Sequence, residues 1–138
     1  RASGEALLAG GPDDDTAANN LGYMYAERAV KLDEAQRLIE GAVRREPTNG
    51  GYLDSLGWVY YRKGDFQKAH EYLTKAVALQ KDAVIVDHLG DACWKLGRKD
   101  DALAHYEDAA KLDEGAQTAA AKKVEAVKAG KDPTLVVK

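Results

Sequence analysis

The sequence predicts an all-α fold, a solenoid of stacked helix pairs, on three observations. A leucine–glycine step recurs as Leu21-Gly22-Tyr23, Leu56-Gly57-Trp58 and Leu89-Gly90-Asp91, with glycines 35 and 33 residues apart. Downstream of each lies alanine, a large residue, then alanine: Ala35/Ile39/Ala42, Ala69/Leu73/Ala76 and Ala102/Tyr106/Ala109. The alanines of each set are seven residues apart, two helical turns, so they share a face. No period-two run competes except Thr134-Leu135-Val136-Val137 at the C-terminus. A period near 34 is the mark of paired-helix repeats, and 138 residues is about four such periods.

Taken in order, the pattern places helices near 15–29, 32–46, 50–63, 66–80, 83–96 and 99–112. Gly64 and Gly97 fall where the second and third units must end one helix and reverse. Asp33, Asp65 and Asp100 stand near second-helix starts, where a carboxylate caps free N–H groups. Pro47 ends the first unit. A glycine inside a helix costs about 1 kcal/mol relative to alanine. Three at equivalent places therefore imply close helix approach, with Leu21, Leu56, Leu89, Tyr60 and Tyr106 filling the space around the contacts.

These residues resemble the tetratricopeptide repeat family: Leu-Gly early in the first helix, an aromatic three residues later, alanine–large–alanine on the second, and a closing proline. In the second unit Leu53, Leu56, Gly57, Tyr60, Ala69, Leu73 and Ala76 match; in the first, Leu21, Gly22, Tyr25, Ala42 and Pro47, with one extra residue around 29–32. The third matches at Leu89, Gly90, Ala102, Tyr106 and Ala109, while Cys93 replaces the aromatic, and Lys81 and Glu114 stand where prolines would close units two and three. The resemblance covers roughly residues 15–114 and implies a right-handed superhelix with repeats at 15–48, 49–82 and 83–114.

The ends extend this division. Pro12 falls where the proline of a preceding repeat would close, making residues 1–14 the remnant of that repeat's second helix and a linker, with Glu5–Ala9 as the helix's last turns. The chain is therefore expected to be the closing section of a longer array. Residues 115–130 read as a capping helix before a tail at 131–138: Ala119, Ala120, Val124 and Val127 form a thin apolar stripe, with Lys122, Lys123 and Lys128 expected outside. Residues 115–138 carry +3 against −6 for the rest, so a membrane or acidic-partner contact is the alternative to a cap; the stripe is too alanine-rich for strong lipid insertion, which favours the cap.

Charge and motifs narrow the function. A net charge of −3 offers no basic excess to neutralise phosphates, which argues against nucleic-acid binding. The single Cys93 excludes an internal disulfide framework, and no apolar run is long enough to cross a membrane. There is no glycine-rich phosphate loop, no GxSxG and no HExxH, so no catalytic residue and no cofactor is assigned. His88 with Asp87 and Asp91 is a poor metal site, because three ligands from one helix seldom surround an ion; the expectation is that all three are solvated. The compartment is not legible.

The family resemblance implies that first helices line the concave side and that ligands lie against them. Carried over by position, the groove residues are Asn19, Asn20, Tyr23 and Glu27; then Asp54, Ser55, Trp58, Tyr61 and Arg62; then Asp87, His88, Asp91, Trp94 and Lys95. Two tryptophans and two tyrosines that the core pattern does not require suit either partner recognition or packing between repeats. Some family members clamp a C-terminal carboxylate, but Asp54 and Asp87 at the corresponding positions would repel one, which favours a peptide with basic and apolar side chains. The implied function is a protein-binding scaffold or adaptor. The alternative is a self-association module of a larger bacterial protein of this family, with an envelope adaptor for a protease or secretion complex as one such setting.

Overall fold

A computed structural model describes residues 12–113 and 118–136. Among these, seven α-helices follow one another: α1 (Pro12–Glu27), α2 (Leu32–Arg45), α3 (Gly50–Lys63), α4 (Phe66–Leu79), α5 (Ala83–Lys95), α6 (Lys99–Leu112) and α7 (Ala119–Lys128), closed by a 3-10 turn at Pro133–Leu135. Each packs on its successor, and α1 also touches α3, as α3 touches α5. The second helices α2, α4 and α6 make no comparable contact with one another, so the stack curves with α1, α3 and α5 on its inner side.

The close approach expected of the three glycines is present. A Cβ added at Gly22 would lie 2.7 Å from Ile39 Cγ1, at Gly57 2.7 Å from Leu73 Cγ, and at Gly90 2.6 Å from Tyr106 Cε1. The alanine–large–alanine residues of all three second helices are buried. Leu53, Ala76 and Ile85 seal the second pair to the third, and Val86, Ala109 and Ala120 seal the third pair to α7. That last cluster is how α7 packs against the third pair.

Helix ends follow local chemistry. Asn49, Asp65, Asp82 and Thr118 cap α3, α4, α5 and α7 through their side chains. Asp33 and Asp100, expected as caps, instead lie inside first turns, where they still face the positive helix end. Gly64 and Gly97 reverse the second and third pairs in the left-handed region, at φ 88° and 80°. The first pair reverses without glycine: Ala29 and Lys31 take φ 53° and 49°, which is where the extra residue is absorbed. Pro12 is the first residue of α1, a position where its missing N–H costs nothing. The expected repeat remnant at residues 5–9 lies outside the described residues. Instead of an extended end, Pro133–Leu135 forms a 3-10 turn, because Asp132 Oδ1 accepts from Thr134 N at 2.8 Å and from its hydroxyl at 2.6 Å.

Candidate functional site

The residues expected in the groove lie on α1, α3 and α5, but the structure divides them sharply. Asn20 and Glu27 are exposed and Asn19 and Tyr23 half-buried. Arg62 and Lys95 are exposed at the rim: Arg62 Nε donates to Ala26 O at 3.0 Å, and Lys95 Nζ sits 5.8 Å over the Phe66 ring. Trp94 is half-buried against the core, with Lys99 Nζ 5.2 Å over its ring. The others, Asp54, Ser55, Trp58, Tyr61, Asp87, His88 and Asp91, are buried.

Aromatic stacking accounts for part of that burial. The Trp58 ring lies between His88, at 3.9 Å and 17°, and Tyr61, at 4.5 Å and 6°. Tyr23 approaches His88 at 6.3 Å, and Phe66 meets Tyr61 edge-on at 5.3 Å, so the ladder links all three repeats. Such pairs contribute about 0.5–1.5 kcal/mol each beyond area burial. Trp58 is 6% exposed and Tyr61 8%, so the packing alternative describes both as they stand here.

Charge accounts for the rest. His88 is 1% exposed, not solvated, and its Nδ1 donates to Asp54 Oδ1 at 2.8 Å across the repeat boundary. Lys123 of α7 reaches into the face of α5: its Nζ lies 2.7 Å from Asp87 Oδ1 and 3.1 Å from Asp91 Oδ1. Tyr106 Oη donates to the same Asp91 oxygen at 2.7 Å. Lys123 was expected outside, yet it is 3% exposed. The reason is the pair of carboxylates one turn apart on α5, which a buried ammonium neutralises in part.

The electrostatics match that arrangement. Burial works against the Lys123 charge, but Asp91 and Asp87 outweigh it and raise its pKa above the ordinary 10.5. Burial pushes the Asp91 carboxyl up, with Lys123 opposing: two acids share one cation, and one of them bears the cost. Burial, then the charge of Asp91, likewise raises the Tyr106 phenol far beyond its usual range. Burial holds the Cys93 thiol at about 11, an unreactive state.

These contacts revise the expected chemistry. Asp87 and Asp91 spend their charge on Lys123 and Tyr106 and do not converge with His88 on a cation, while Asp54 faces His88. The groove acids are hydrogen-bonded within the chain and Lys123 offsets part of their charge, which weakens the argument for a basic partner drawn from Asp54 and Asp87. The sequence did carry a signal for Lys123: it stands three residues after Ala120 and four before Val127, on the apolar stripe itself.

Two parts of the inner face remain distinct. One is a cleft of about 340 Å³ between α1, α3 and the start of α5, lined by Asn19, Asn20, Tyr23, Asp54, Ser55 and Asp82 among others. Asn19 Oδ1 is buried there without a hydrogen-bond partner among the described residues. The other lies over Trp58 and Tyr61 and is narrowed to about 140 Å³ by the chain's own Thr134 and Val136. No helix among the described residues is long and apolar enough to cross a membrane.

A family profile described as tetratricopeptide repeat matches residues 25–84 and 55–117. A TPR repeat-containing protein of Pseudomonas aeruginosa is 38% identical over 85 residues, which is 62% of this chain and 14% of that protein. The chain thus spans about a seventh of that relative's length. Among solved structures, a thermophilic TPR protein of Thermus thermophilus superposes with TM-score 0.77 at 24% identity, covering 91% of this chain and 70% of that one. The first TPR of Spaghetti, bound to an HSP90 peptide, gives TM-score 0.74 at 20% identity, covering 84% and 91%.

Proposed function

The chain belongs to the tetratricopeptide repeat family, and from that premise we propose that it is a protein-binding module whose inner face takes an extended segment of a partner protein. The observation that carries this reading is the open cleft on α1 and α3, which Asn19 and Tyr23 line. Asn20 beside it offers both donor and acceptor to a backbone, and Tyr23 offers an aromatic wall at low rotamer cost. Glu27, Arg62 and Lys95 stand at the rim, where charge sets approach and orientation more than affinity. The peptide held by the structurally similar Spaghetti repeat supports the mode of binding, not the identity of the partner.

Panning a random peptide library on the purified chain tests this. Selected peptides should bind at least tenfold more weakly to Asn20→Arg and to Tyr23→Ala, and within twofold to Glu71→Arg on α4. Peptides insensitive to Asn20 and Tyr23 would move the binding surface elsewhere. A scaffold role within a longer protein is the finer part of the proposal; sedimentation across a concentration series distinguishes it from self-association.

A further inference from the structure

The half of the groove over Trp58 and Tyr61 already holds a peptide-like segment, supplied by the chain itself. After Gly130, in the left-handed region at φ 73°, the backbone leaves α7 and crosses to α5. Asp132 fixes the turn, Pro133 is fully buried, and the Thr134 side chain meets the Tyr61 hydroxyl. Thr134 and Val136 share a recess with Trp58, Tyr61, Asp91 and Lys123. Leu135 points away, 76% exposed.

We propose that Asp132–Val136 is an internal ligand, and that the Trp58–Tyr61 subsite accepts a partner segment of the same chemistry, a proline followed by a hydroxyl residue and aliphatics, by displacing it. Three features separate this strap from a piece of core. Its backbone hydrogen bonds run within its own turn, Leu135 N to Asp132 O and Val136 N to Pro133 O, while Lys131 N bonds back to Ala126 O of α7. It follows Gly130, where Gly130 N bonds to Val127 O and Lys131 N to Ala126 O, so α7 is closed off before the strap begins. And what Thr134 and Val136 lie beside is not aliphatic filling but two stacked rings with a phenol hydroxyl, which suits a hydroxyl side chain and an aliphatic one. A tethered strap acts at an effective concentration of about millimolar, so it sets the affinity an incoming segment must exceed.

This rests on the inner face being a binding groove, and the test separates the two ideas. The probe is the end-blocked peptide Lys-Asp-Pro-Thr-Leu-Val, residues 131–136, titrated into the full chain and into its Pro133→Gly/Thr134→Ala variant. The peptide should bind the variant at least tenfold more tightly, and a peptide with alanine for threonine should lose that gain. Equal affinity for both chains, or no binding to a variant of unchanged helicity, overturns the proposal. Should the double variant lose helicity, the unmodified chain decides. Peptide in several-fold excess over the millimolar tether should shift the Trp58 and Tyr61 ring resonances while leaving Trp94 in place, and no shift overturns the proposal. If library-selected peptides still depend on Asn20 and Tyr23 while this peptide fails, the groove stands and only the strap inference falls.

Discussion

The two halves of the inner face are built from equivalent positions and finish in opposite states. Asn19, Asp54 and Asp87 share one register, as do Tyr23, Trp58 and Asp91. On α1 both positions are half-buried and edge an open cleft that Asp54 also lines; on α3 and α5 the equivalent side chains are buried, in a ring ladder and a charged cluster. What differs is the next element along. Asp54 is covered because His88 arrives from the following repeat, and Asp87 because Lys123 arrives from α7. Exposure on this face is thus decided between repeats, not within one.

Breaking the charged cluster should have the largest effect. Lys123→Met leaves two buried carboxylates without their cation, a change that costs about 3–5 kcal/mol when one partner of a buried pair is removed. Chemical denaturation should show that loss, and hydrogen exchange should show it concentrated in α7 and the strap while α1–α4 keep their protection. Adding Asp91→Asn should restore part of it; no recovery would mean that Lys123 acts by packing alone.

Next come the glycines. Gly90→Ala meets the Tyr106 ring, which is pinned to Asp91, and overpacking of that kind costs about 1–3 kcal/mol. Gly22→Ala meets the buried, β-branched Ile39 side chain at 2.7 Å and the Ala35 carbonyl oxygen at 3.1 Å, so its loss should fall in the same range, each variant regaining about 1 kcal/mol of helix propensity. A loss at Gly22 well beyond that at Gly90 would show that the open half is the tighter one.

Alkaline stability sharpens the same contrast. With its pKa raised in the folded chain, Lys123 contributes stability that is complete below its ordinary 10.5 and disappears as pH climbs through the raised value. The intact chain should therefore lose stability more steeply above pH 10.5 than Lys123→Met/Asp91→Asn, which lacks that contribution. Parallel curves would contradict the assignment.

At the small end stands Asn20→Ala. An exposed residue in the open half should shift stability within about 0.5 kcal/mol, measured by the same denaturation, while peptide affinity falls.

Much of the fold was legible, since helix pairing, close glycine contacts and buried alanines are properties of residues within one repeat. The groove was legible only in position. Asp87, His88 and Asp91 read as solvated because their ionisable partners Asp54 and Lys123 stand 32 to 36 residues away in the chain, beyond any helical period. Lys123 read as outside because lysine usually is, though its place on the apolar stripe indicated otherwise. The strap was missed because Thr134–Val137 alternates like a strand, and only the Asp132 cap turns it.

The most direct test of the half-open groove is hydroxyl-radical footprinting of its aromatic side chains. In the intact chain Tyr23 should react while Trp58 and Tyr61 are protected; in Lys123→Met, with α7 and the strap released, Trp58 and Tyr61 should become reactive and Tyr23 should keep its rate. Trp58 and Tyr61 reacting as fast as Tyr23 in the intact chain, or remaining protected in the variant, would contradict a groove closed by the chain's own C-terminal elements.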